Sequence, residues 1–310
     1  MSDDIRRLIR PDLLSLPPYV PIDPPDVLAG RYGLAPEQVL KLDGNENPFG
    51  PSPRAIEAVR RASDWHIYPD PDQRELRAEL ARWLDVDESM IVCGLGSDDL
   101  IDLLLRAVVS PGDAVVDCPP TFGMYAFSTR IAGGRATEAA RRENFALDID
   151  AVVSAGRGAK LLFLASPNNP TGNLTPAEDL ERILAAGMLV AVDEAYIDFA
   201  GRDRSCLPLL RRYENLVVLR TFSKWAGLAG LRVGYGVMAP ELASVLMTIK
   251  QPYNVNAAAT VAAIGALEDA ELLDERACKI AGARDAMAAA LAEVGWLSVY
   301  PSEANFVLCR

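Results

Sequence analysis

Short apolar runs alternate with helical patterns along this 310-residue chain, and that alternation predicts an α/β fold: a mostly parallel sheet covered by helices. Two further observations support it. Half of the residues are apolar, enough for one large domain with a smaller satellite. Residues with chemical potential also stand directly after the apolar runs, where open α/β sheets bind ligands.

Taken in order, residues 1–44 open with MSDDIRRLIRPD and pass through the proline-rich PPYVPIDPP, which reads as an amino-terminal arm. Strand-like runs follow at Ile91–Cys93, Ala114–Asp117, Lys160–Leu164, Leu189–Val192, Leu216–Leu219 and Arg232–Val237, separated by helical patterns such as Asp98–Val109, Pro176–Ala186 and Pro240–Ile249. Residues 45–254 are therefore expected to form the large domain. The Ala/Leu/Glu-rich segments Ala257–Leu267 and Ala270–Val294 are good helix formers leading to a strand-like Asn305–Cys309. Residues 255–310 and the arm, the two chain ends, should together make a smaller α/β domain. No internal repeat or low-complexity linker interrupts the chain.

Composition excludes several classes. A formal net charge of −12 argues against nucleic-acid binding, which needs a basic stripe. Five cysteines without C-x-x-C spacing point to reduced thiols in a cytoplasm. The amino-terminal residues lack the apolar core of a signal peptide, and no apolar stretch reaches membrane-spanning length. With His66 as the single histidine, neither a histidine-based triad nor a metal site can be assembled.

Four segments carry the chemistry. In RTFSKWAGLAGLRVGY (Arg220–Tyr235), Lys224 lies among Thr221, Ser223 and glycines that allow tight turns, with Arg232 eight residues on; the spacing suits an aldehyde-binding amine beside a phosphate clamp. In LVAVDEAY (Leu189–Tyr196), an apolar strand ends in Asp193, and a carboxylate buried there needs a cation or a hydrogen-bond donor. LLFLASPNNPTG (Leu161–Gly172) ends in a turn-forming loop from which an Asn amide can donate. MIVCGLGSDDL (Met90–Leu100) runs from strand through glycine turn to helix, and the free N–H groups at Ser97 and Asp98 form a phosphate site. Read singly, these are also a solvated lysine, a loop aspartate, a plain turn and an N-capped helix. Together they supply an amine, a carboxylate, a donor and an anion site, an inventory that matches pyridoxal 5'-phosphate.

With these motifs in order, the chain resembles the fold-type I pyridoxal-phosphate aminotransferases, and within them the histidinol-phosphate aminotransferase family. The similarity runs from Tyr19 to Arg310 and includes KLDGNENPFGPSP, YPDP, GSDD, PPTFGMY, SPNNPTG, VDEAYIDF, PYNVN and PSEANFVL. The resemblance implies that Lys224 holds the cofactor covalently and then acts as general acid and base. Asp193 would pair with the ring nitrogen, Asn169 and Tyr196 would donate to the ring oxygen, and Phe122 would stack on the ring, in a place where the family usually has tyrosine. Arg232, Ser223, Thr221 and the backbone at Ser97 and Asp98 would hold the phosphate. Tyr68 of YPDP would reach the cofactor phosphate of a neighbouring subunit, making a homodimer the functional unit. Tyr19 and Asn47 would face the substrate, and Asn254 is a further pocket-loop candidate.

The implied reaction is ping-pong transfer of an amino group from L-histidinol phosphate to 2-oxoglutarate, through the pyridoxamine form, in histidine biosynthesis. An aromatic or other amino-acid donor, or a decarboxylase of the threonine-phosphate type, shares much of this signature, and a non-catalytic cofactor-binding module is a third reading. In the family, the small domain continues past a motif like PSEANFVLCR and carries the arginines that bind the substrate's carboxylate and phosphate. The chain is therefore expected to be truncated at Arg310.

Overall fold

The computed structural model describes residues 5–310; the first four residues of the amino-terminal segment read above lie outside the described residues. The chain divides into two units, Met1–Glu46 and Asn47–Arg310. In the first, a helix at Pro25–Tyr32 starts on a proline and stops at Gly33, whose left-handed φ of 66° closes it. Arg31 pairs with Asp23 at 2.7 Å.

The second unit holds a seven-stranded sheet: β1 (Ile91–Gly94), β2 (Ala114–Asp117), β3 (Arg135–Glu138), β4 (Leu161–Ala165), β5 (Leu189–Asp193), β6 (Leu216–Thr221) and β7 (Gly234–Met238), in the order β1-β7-β6-β5-β4-β2-β3. The pairs β2–β3, β2–β4, β4–β5 and β5–β6 are parallel, whereas β7 runs antiparallel to both neighbours. The apolar runs are continuous because both faces are covered. Leu161, Phe163, Ala191, Val217 and Leu219 join one core. The alternate residues Leu162, Leu164, Val190, Val192, Leu216 and Val218 join the other. Each such side chain, fully removed from water, contributes about 2 kcal/mol.

Helices form where apolar spacing changes from two to three and four. Ser97–Val108 buries Leu100, Ile101, Leu103, Leu104 and Leu105. Pro240–Ile249, Ala257–Glu268 and Ala270–Ala292 fall close to the expected spans. Across the boundary expected at 254/255, Ala257–Glu268 packs tightly on Pro53–Arg61, and a Cβ on Gly265 would lie 2.7 Å from the Arg54 carbonyl oxygen.

Two expectations need correction. The strand expected at Arg232–Val237 begins only at Gly234, because Arg232 adopts φ 55°, a left-handed turn incompatible with a ladder. The strand expected at Asn305–Cys309 is reduced to one isolated antiparallel bridge, Val299 to Cys309.

Candidate active site

The sheet register gathers the motifs. Because β4, β5 and β6 are parallel, their carboxyl ends lie side by side, with Ala165 paired to Asp193 and Asp193 to Leu219. The reversed β7 starts where they finish, so Gly234 sits beside Thr221 of β6 and Gly94 of β1. Arg232, two residues before Gly234, thereby reaches the start of the helix that follows β1.

Asp193 is 5% exposed. Its Oδ2 accepts 2.8 Å from the Tyr125 hydroxyl and its Oδ1 accepts 3.1 Å from the Ala195 N–H. Burial pushes this carboxyl up to about 6, while the two donors pull against that rise. Tyr125 is itself fixed, 1% exposed, with its ring stacked 5.1 Å from Phe163 and Phe122 edge-on at 5.5 Å. On the other side of the site, the Asn169 amide lies 3.5 Å from the Tyr196 hydroxyl, and the Lys224 ammonium is 5.9 Å from the centre of the Tyr196 ring.

The anion end is built from glycine. Gly96 precedes the helix at Ser97 with φ 79°, and no side chain caps that helix start. A Cβ on Gly96 would stand 2.7 Å from Arg232 Nη2, so only glycine admits the guanidinium this close. Arg232 donates to Asp98 Oδ2 at 3.0 Å and to Ser223 Oγ at 3.3 Å. The Thr221 hydroxyl donates to Ser223 Oγ at 2.9 Å and accepts from the Ser223 N–H at 3.1 Å. The Arg232 guanidinium, paired with Asp98, is thus linked through Ser223 to the Thr221 hydroxyl beside an uncapped helix start.

The remaining candidates make other contacts. Tyr68 is 76% exposed and stacks 4.5 Å from Tyr253 over a groove of about 370 Å³ that His66 also lines. Asn47 donates to the main-chain carbonyls of Lys224 and Trp225, both at 2.9 Å. Asn254 donates to the Cys93 carbonyl and to Asp99 Oδ2, holding the end of β1 to its helix. Tyr19 belongs to the Met1–Glu46 unit.

Sequence reasoning missed Tyr125 and the pair Glu194–Arg220. Tyr125 carried a faint signal, since it stands three residues beyond Phe122 in the same PPTFGMY motif. Glu194 and Arg220 carried a weaker one: two charges at the ends of fully apolar runs need a partner, and each is the other's.

Fold and site together define a class I and II aminotransferase, and the family model of that description matches residues 37–310. Over all of this chain and 85% of its own length, a histidinol-phosphate aminotransferase of Roseiflexus castenholzii is 51% identical. The chloroplastic enzyme of that name from Nicotiana tabacum is 46% identical over 97% of this chain and 73% of its own. Histidinol-phosphate aminotransferase from Sinorhizobium meliloti, solved in complex with pyridoxal-5'-phosphate, superposes with a TM-score of 0.87 at 32% identity, covering 97% of this chain and 82% of that one. The chain belongs to the histidinol-phosphate aminotransferase family.

Proposed function

We propose that this site holds pyridoxal 5'-phosphate and transfers the amino group of L-histidinol phosphate to 2-oxoglutarate. One observation carries the reading: the buried, doubly hydrogen-bonded Asp193 and the Arg232–Gly96–Ser97 cradle stand at the same end of the sheet's strands as the Lys224 turn. A flat ring bearing a phosphate at one end and a basic nitrogen at the other fits that set of residues. When bound, the cofactor supplies an aldehyde for amines and an electron-accepting ring. The chain supplies the rest. The Asp193 carboxylate holds a proton on the ring nitrogen, and Asn169 and Tyr196 orient the ring through its oxygen. Phe122 packs on the ring face. Arg232, Ser223, Thr221 and the N–H groups of Ser97 and Asp98 anchor the phosphate. Lys224 Nζ takes the proton from the donor's Cα, a transfer that requires the amine within hydrogen-bond reach.

The donor assignment draws on the relatives named histidinol-phosphate aminotransferase. Tyr68, exposed beside Tyr253, supports a homodimer in which it completes the partner's site. The free state of all five cysteines fits the cytoplasm. The division into an arm at 1–44, a large domain at 45–254 and small-domain residues at 255–310 belongs to the same proposal.

The test is the absorbance spectrum of the cofactor-loaded protein before and after L-histidinol phosphate, beside a panel of amino acids. Loss of the visible band with histidinol phosphate, and with few other donors, is expected. Lys224→Ala should abolish the borohydride-reducible adduct. Conversion by an aromatic amino acid alone, or carbon dioxide release without a keto product, would replace this donor assignment.

A further inference from the structure

Contacts converge on the main chain around Lys224 from well outside its own turn. The Asn47 amide donates to the carbonyls of Lys224 and Trp225, each at 2.9 Å, and its Oδ1 accepts from the Phe49 N–H at 3.0 Å. Both amide hydrogens are therefore used on backbone. Farther along the turn, Gly227 has φ 67°, and a Cβ there would lie 2.6 Å from the carbonyl carbon and oxygen of Gly50. Behind this segment, Arg276 on the helix Ala270–Ala292 donates to the carbonyls of Gly50 and Pro51, both at 3.2 Å, and its guanidinium lies 5.7 Å from the centre of the Phe49 ring. The same helix offers Asp274, whose Oδ1 accepts from the Trp225 indole at 2.9 Å.

We propose that Asn47 is a positioning residue for Lys224, and that residues 47–51 form a brace, held by Arg276, which fixes where the Lys224 turn presents its amine. The inference rests on the reading of Lys224 as the reactive amine. It also separates Asn47 from the substrate-side role that the resemblance implies, because an amide with both hydrogens on main-chain carbonyls has no donor left for a substrate. The turn from Ser223 to Gly227 is neither helix nor strand, so its shape depends on what holds its carbonyls.

Asn47→Asp tests the brace, since it keeps the side-chain size and the acceptor for Phe49 but sets a carboxylate oxygen against two carbonyls. Amide hydrogen exchange at residues 222–228 of the cofactor-free protein should rise about tenfold. In the loaded enzyme, kcat should fall by about ten- to a hundredfold while KM for the amino donor stays within about twofold. Arg276→Ala, which leaves the Lys224 turn itself untouched, should raise exchange over the same residues. A raised KM with kcat kept and exchange at 222–228 unchanged would make Asn47 a substrate ligand and overturn the proposal. Should Asn47→Asp fail to fold, unchanged exchange in folded Arg276→Ala overturns the brace. A wild-type protein that forms no borohydride-reducible adduct at Lys224 overturns the underlying reading of the amine, whereas the exchange data on cofactor-free protein judge the brace separately.

Discussion

At the scale of the residue, Asp193 shows how a carboxylate is held ionisable in a place that disfavours charge. Burial raises its pKa to about 6, and the groups around it divide: the Tyr125 hydroxyl and Ala195 N–H lower it, while Asp98 and Glu194 raise it. The native cofactor-free protein thus binds this proton more tightly than the unfolded chain. Its contribution makes stability fall as pH rises from about 4 to about 6 and leaves it flat above. Tyr125→Phe removes one donor to the charged form, so the Asp193 titration should move up by about one pH unit. Carboxyl ¹³C NMR of the cofactor-free protein, assigned with Asp193→Asn, measures this; an unmoved midpoint would mean that the 2.8 Å contact does not stabilise the charge. Lys224, Asp193, Asn169, Tyr196 and Arg232 stand out in the sequence as candidates because each borders or follows an apolar run. The pairing of Tyr125 with Asp193 was not legible there, because the two are 68 positions apart and only the fold brings them together.

At the scale of the element, β5 and β6 are joined beneath the site by charge. Arg220 Nε and Nη2 donate to Glu194 Oε2 at 3.0 and 2.8 Å, and Ser205 Oγ and the Cys206 N–H donate to the same carboxylate. Both members are almost fully buried, at 3% and 2% exposure. Burial works against the Arg220 charge, and the adjacent Glu194 carboxylate more than compensates, raising the guanidinium above its ordinary range. Arg220→Leu leaves Glu194 buried and unpaired, and should cost about 3–5 kcal/mol in chemical denaturation, with Arg220→Leu/Glu194→Leu recovering part of it. A single-variant loss below about 1 kcal/mol would show that solvent reaches the pair. The interior strands were readable as apolar runs, but β3 was not: RATE is half-exposed at the sheet edge and lacks the hydrophobic signal of a strand covered on both faces.

At the scale of the whole molecule, the surface near Tyr68 carries more aromatic and aliphatic area than water favours. Trp65, Ile67 and Tyr68 are 51%, 57% and 76% exposed beside Tyr253. A second copy of the chain covering this surface would let Tyr68 serve the partner's site. Mixing Tyr68→Ala with Lys224→Ala subunits, each inactive alone, should then restore partial turnover, because one site of the mixed dimer keeps both residues. Verified mixed dimers without recovery would count against a shared site. Among the described residues, no helix is long and apolar enough to cross a membrane.

The sequence by itself determined the α/β class and the central strands and singled out the candidate residues of the cofactor end, because periodicity, turn residues and charges at the ends of apolar runs are local properties. Tertiary structure decided the rest. It reversed β7, which carries Arg232 to the helix start at Ser97; it set Tyr125 on Asp193; and it turned the Asn47 amide onto the Lys224 backbone. Each is a pairing across long separations in the chain, chosen by which groups must find partners once the sheet removes them from water.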